Sequence, residues 1–111
     1  MTADLTKRKC VPCEGGVPSL TASDAKKLQQ QTPQWPLIKV EGVDAIERQF
    51  GFKDFAEAMT FVNKVATLAE KEGHHPNFDI RWNKVKLTLW THAIGGLSDN
   101  DFIMAAKIDM L

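Results

Sequence analysis

The longest regular pattern in the chain runs from Asp54 to Glu72, where Phe55, Met59, Val62, Ala66 and Ala69 recur at steps of four and three. Phe61, Val65 and Leu68 widen that stripe, so the spacing predicts a helix with one broad apolar face. Gly73 follows, at the place where a left-handed residue commonly closes a helix. On either side of this helix the period falls to two. Ile38 and Val40 alternate with polar neighbours, "EGVD" supplies a turn, and Ile46, Phe50 and Phe52 share a parity with Arg48 between them. That predicts a β-hairpin with one buried face. A second hairpin is predicted over "FDIRWNKVKLTLWTH", with Phe78, Ile80 and Trp82 on one face and Val85, Leu87 and Leu89 continuing it.

Two shorter helices complete the pattern. "TASDAKKLQQQ" offers Thr21 as N-cap with Asp24 three residues on, and Pro33 and Pro36 of "TPQWP" end it. "GGLSDNDF" breaks the second hairpin and caps a last helix, with Ser98 as N-cap, Asp101 at its third position, and Phe102, Ala105, Ala106 and Ile108 on its apolar side. The order α-β-β-α-β-β-α implies an α+β fold, a four-stranded antiparallel sheet with helices on one face. One domain is expected over residues 20–111, preceded by a flexible extension over residues 1–19.

Composition narrows the function classes. The 111 residues are 43% hydrophobic and 25% charged, as in an ordinary globular protein. Fourteen basic and fourteen acidic residues cancel, which argues against a surface built to grip nucleic acid. No apolar run approaches the roughly 18 residues a membrane span needs, and no secretory signal is visible, so no membrane partner and a cytoplasmic location are expected. The only cysteines, Cys10 and Cys13, form one CxxC in the N-terminal segment. A four-cysteine zinc site would need a second pair, and a redox site should open a helix after a strand. Two ordinary thiols are the expectation.

The chemistry concentrates in "EKEGHHPNF". If Asn83 and Lys84 form the second hairpin's turn, Trp82 pairs with Val85, Ile80 with Leu87 and Phe78 with Leu89, and His92 comes opposite position 75. Glu70 stands one helical turn before His74, at the spacing of an (i, i+4) contact. Three imidazoles and a carboxylate then converge at one end of the sheet, with Pro76 stiffening the connection. Imidazoles titrate near neutrality, so a pair can give one proton while taking another, which suits the removal of water. Three histidines also suit a zinc ion with an open position, against which adjacent histidines diverge. A structural role, capping a helix and filling a strand end, is the third reading. Trp82 shares the core parity, whereas Trp90 and Trp35 suit either stacking on a flat ring or a subunit contact.

The stretch "AEKEGHHPNFDIRWNKVKLTLWTHAIGGLSDND", with "FGFKDFAEAMTFVNKVA" and Trp35, resembles the pterin-4a-carbinolamine dehydratase family, also called 4a-hydroxytetrahydrobiopterin dehydratases. The likeness extends from about Leu20 to the C-terminus. Its most specific parts are the acidic residue four before His-His-Pro, the "NKV" turn, the Thr-His and the "GLSxxD" at the last helix. The resemblance implies the same α+β sandwich, a homodimer formed through sheet edges or a homotetramer through the terminal helices, and a pterin as small-molecule substrate. It implies a lyase that eliminates water from 4a-hydroxytetrahydropterin to give quinonoid dihydropterin, without metal or organic cofactor. Such an enzyme supports tetrahydrobiopterin recycling beside aromatic amino-acid hydroxylases. By position, His74 and His92 resemble the acid/base pair and His75 the group that holds the pterin. Glu70 matches the acidic residue beside the site, Pro76 the rigid position, and Thr91 and Trp35 the pocket lining. Phe78 stands where many members have Trp, and Trp90 where a smaller residue is frequent, so both bear on substrate fit. Relatives on the same fold act as dimerisation cofactors of transcription factors or beside carbon-fixation machinery, which makes a non-catalytic assembly or regulatory protein the alternative.

Overall fold

A computed structural model describes residues 4–11 and 18–111. Cys13, half of the CxxC pair, lies outside the described residues. Three helices, α1 (Ala22–Gln29), α2 (Phe55–Glu72) and α3 (Asp99–Ile108), combine with four strands, β1 (Leu37–Val40), β2 (Val43–Gly51), β3 (Asn77–Arg81) and β4 (Lys84–Leu89). Short 3-10 turns occur at Leu5–Lys7 and His92–Ile94. The strands form one antiparallel sheet in the order β1-β2-β4-β3. This is the α+β arrangement that the alternating periods imply.

The helix termini follow from local chemistry. Asp54 accepts the Glu57 N–H at 2.9 Å and so satisfies one of the donors that open α2. Gly73 takes φ +68° and donates to the Ala69 carbonyl at 2.8 Å, closing the helix. The buried stripe of α2 is Ala58, Val62, Val65 and Ala69, with Met59, Phe61 and Leu68 partly covered. It is narrower than the sequence pattern, and Phe55 at its edge stays 49% exposed. Helix α3 differs in the other direction, since Phe102, Ile103, Met104, Ala105, Ala106 and Ile108 are all buried. A helix apolar nearly all round must be covered on more than one side.

The N-terminal segment supplies part of that cover. Leu5 is 1% exposed and belongs to the common core. Arg8 pairs with Asp99 at 2.8 Å, and the Cys10 N–H donates to Glu72 Oε1 at 3.0 Å. The expected loose extension is thus packed along α3 over residues 4–11.

The two hairpins turn differently. Between Val40 and Val43, Glu41 (φ +50°) and Gly42 (φ +81°) both adopt the left-handed region, the conformation of a two-residue turn matched to strand twist. In the second hairpin Arg81 pairs with Lys84, so Trp82 and Asn83 are the turn residues, not Asn83 and Lys84. Every predicted pair shifts by two: Ile80 opposes Val85 and Phe78 opposes Leu87. A shift of two keeps every side chain on its face, so the apolar pattern carries no information about it. Tertiary contacts decide it instead. The Asn83 side-chain amide donates to the Phe52 carbonyl, and the Phe52 N–H donates to the Asn83 carbonyl, both at 2.9 Å. Trp82 is left 65% exposed at φ +51°, outside the core that its parity suggested.

Trp35 is fully buried. Its indole N–H donates to Asp109 Oδ1 at 2.9 Å, and Arg48 bonds the same oxygen at 2.6 Å while covering the Phe50 ring at 4.4 Å. Arg48 therefore occupies the inner face of the sheet with its charge matched at the end of α3.

Candidate active site

The site begins where α2 ends. Because Gly73 reverses the chain, His74 and His75 leave the helix axis, and Pro76, buried, leads into β3. Helix α3 supplies the second half. Asp101 at its third position has no exposed surface. Its Oδ2 accepts the Ser98 N–H and the Thr91 hydroxyl, each at 2.9 Å, and its Oδ1 lies 2.6 Å from His74 Nε2. A carboxylate only accepts, so the His74 hydrogen is on Nε2 and Nδ1 is the nitrogen left to exchange a proton. Thr91 spends its single hydrogen on Asp101, which makes Ser98 the donor in the 2.7 Å contact between the two hydroxyls.

The third element is the chain after β4. The strand stops at Leu89, Thr91 bridges to Gly96, and His92 stands on the following 3-10 turn rather than on a strand opposite position 75. Trp90 stacks on the His92 ring, centroids 4.4 Å apart. Glu70 contacts His75, not His74: its Oε2 lies 2.6 Å from His75 Nε2, with both side chains largely exposed. The helix closes before an (i, i+4) contact to His74 can form, and an exposed side-chain contact of this kind holds a ring only weakly.

Six of the sequence-derived residues line one open cleft of about 430 Å³: His74, His75, Pro76, Trp90, Thr91 and His92. Glu70 joins it through His75. Trp35 and Phe78 are not among its lining residues; the first is buried behind Phe50, and the second is on the outer strand β3, 37% exposed. Sequence reasoning placed Asp101 only as a helix cap and gave no role to Val11 and Asn100, which also line the cleft. The signal for Asp101 was present in "GLSxxD", where the carboxylate has both a cap and a histidine to serve. Among the described residues no group of three or more His, Cys, Asp or Glu side chains is arranged to hold a metal ion.

The family described as pterin 4 alpha carbinolamine dehydratase matches residues 18–111. The chain belongs to this family. A relative from Methylococcus capsulatus, provisionally named a pterin-4-alpha-carbinolamine dehydratase, is 47% identical over 107 residues, covering 96% of this chain and 92% of its own. Another of that provisional name, from Aromatoleum aromaticum, is 49% identical over 111 residues, covering 100% of this chain and 97% of its own. Among solved structures, a transcriptional coactivator/pterin dehydratase from Brucella melitensis superposes with a TM-score of 0.75 at 38% identity, covering 83% of this chain and 96% of that one. A pterin dehydratase-like protein described as a RuBisCO assembly factor in the alpha-carboxysome matches with a TM-score of 0.60 at 24% identity, covering 69% and 87%. That last likeness is one of fold alone.

Proposed function

We propose that the protein is a hydro-lyase that removes water from a 4a-hydroxytetrahydropterin. The hydroxyl leaves C4a with a proton from one imidazole, the N5 proton passes to another, and the new C4a=N5 bond makes the quinonoid dihydropterin. His74 and His92 are the acid/base pair, and His75 holds the ring with Glu70 behind it. Pro76, Thr91 and Trp90 bound the cleft. The observation that carries this reading is the buried Asp101 carboxylate 2.6 Å from His74, in a cleft that His75 and His92 also line. A residue that merely caps a helix has no need of a buried partner for its ring.

Stopped-flow dehydration of 4a-hydroxytetrahydropterin, on wild type beside His74→Ala, His92→Ala and the double variant, tests it. Each single change should lower the rate of elimination, and the double should abolish enzymatic acceleration; an unimpaired double variant overturns the assignment. Supply of the substrate by aromatic amino-acid hydroxylases and a cytoplasmic location belong to the same proposal. Among the described residues no helix is long and apolar enough to cross a membrane.

Self-association is part of the reading. Strand β3 is an outer strand of the sheet and carries Phe78 and Ile80, each 37% exposed. An unpaired edge bearing apolar side chains favours pairing with a second copy. Light scattering of the purified chain should give a dimer or tetramer. The same edge supports the alternative reading, an assembly or regulatory protein, for which a stable partner protein without pterin turnover would speak.

A further inference from the structure

The N-terminal segment is anchored beside the histidines by three separate ties. Asn100, 4% exposed, clasps Val11 from both sides of its backbone: its Oδ1 accepts the Val11 N–H at 3.0 Å, and its Nδ2 donates to the Val11 carbonyl at 2.6 Å. Glu72, the residue before the Gly73 turn, accepts the Cys10 N–H at 3.0 Å and the Lys107 ammonium at 3.0 Å. Arg8 bonds Asp99 at 2.8 Å. A short segment held this way has little conformational freedom left to lose when a ligand arrives.

What these ties fix in place is an apolar side chain. Val11 is 63% exposed and lines the same cleft as His74, His75 and His92. Pro76, Trp90 and Ala93 are the other apolar lining residues, and the imidazoles are assigned to proton transfer and ring holding. Val11 also lies outside residues 18–111, the part that the family match covers. The Brucella structure uses 96% of its length to cover only 83% of this chain, whereas the two bacterial relatives cover 96% and 100% of it.

Resting on the dehydratase reading, we propose that Val11, held in place through Arg8, Cys10 and its own backbone, forms part of the wall of the pterin cleft and makes an apolar contact with the non-reacting part of the substrate. Val11 is then a binding and specificity residue, not a catalytic one. A contact made equally in ground state and transition state changes KM and leaves kcat alone.

The full chain, with Val11→Gly and Val11→Asp, tests this in two ways. Steady-state kinetics with 4a-hydroxytetrahydropterin gives KM and kcat, and tryptophan-fluorescence titration with 7,8-dihydrobiopterin, which has no 4a-hydroxyl to lose, gives Kd. Val11→Gly should raise both KM and Kd about three- to tenfold, as expected for losing part of a valine contact, with kcat within about twofold. Val11→Asp should raise them further. Asn100→Leu, which releases the clasp, should raise KM in the same direction, with circular dichroism verifying that the fold remains. Unchanged Kd and KM in both Val11 variants, or a fall in kcat at constant KM, overturns the proposal while leaving the dehydratase reading intact. A wild type that binds 7,8-dihydrobiopterin but does not turn over the hydroxylated pterin overturns the dehydratase reading alone, because the titration still measures the Val11 contact. A wild type that does neither overturns both.

Discussion

At the scale of single residues, the two neighbours in "GHHP" have unequal surroundings. The His74 side chain is 11% exposed and faces a carboxylate with no exposed surface, while His75 is 57% exposed and faces Glu70, itself 79% exposed. Only the first pair is sheltered enough to fix a ring and its tautomer. His74→Ala should therefore lower kcat by about 10²-fold, the range of one general acid/base group. Asp101→Ala should lower kcat by about tenfold or more through the misplaced His74 ring, and Glu70→Ala should act mainly on KM; stopped-flow kinetics separates the two. Asp101→Ala also strands the Ser98 N–H and the Thr91 hydroxyl, costing about 1–3 kcal/mol of stability, measurable by urea unfolding. Cys10 gives a further residue-scale expectation. Burial, and next the Glu72 carboxylate, push its thiol up to about 12. It stays protonated at neutral pH and should alkylate slowly with iodoacetamide in a Cys13→Ser background until the protein unfolds.

At the scale of elements, the helices were legible where a cap and a period coincide. In helix α2, whose periodic run opens on Asp54 and has that residue as N-cap in the structure, the legible signals were the stripe and then Gly73, each acting over a few residues. Gly73→Ala tests the last of these. Its φ of +68° strains any L side chain, yet nothing lies within 4 Å of an added Cβ, so the cost is conformational alone. About 1 kcal/mol of stability should be lost, read as a lower Tm, and His74 and His75 should be re-aimed. The second hairpin was legible as two strands with the correct faces but not in register. Face is a property of one strand's alternation, whereas register depends on what holds the turn. Here Asn83 reaches across to Phe52 at the end of β2. Asn83→Ala should cost about 0.5–1.5 kcal/mol and weaken the turn, visible as faster amide exchange over β3 and β4.

For the whole molecule, Glu72 joins three parts of the chain that are remote in sequence: the end of α2, the N-terminal segment and Lys107 on α3. Burial on its own would raise its pKa, but the Cys10 N–H and the Lys107 ammonium outweigh it and hold the carboxyl below its ordinary value. A depressed carboxylate contributes stability that is present above the unfolded value and lost as the pH falls through the lower folded value. Thermal unfolding between pH 7 and pH 3 should show that loss, and Glu72→Gln should flatten the acid side of the profile while lowering Tm at pH 7. A variant with an unchanged acid limb would show that another carboxylate governs it.

The sequence by itself determined the element order, the faces of the strands, the glycine that closes α2, the cap that opens α3, and the concentration of imidazoles after Gly73. All of these rest on interactions between residues close in the chain, and the "GHHP", "TH" and "GLSxxD" motifs carry the family with them. Tertiary structure alone decided the partners. Which carboxylate meets His74, which meets His75, and where Trp35 goes depend on the packing of α3 against the turn after α2 and on the depth of the core. The N-terminal segment is the plainest case. Its residues show no period and read as a loose extension, yet α3, apolar nearly all round, has to be covered by something. Part of the cover came from residues 4–11, which no local pattern could connect to a helix that begins at Asp99.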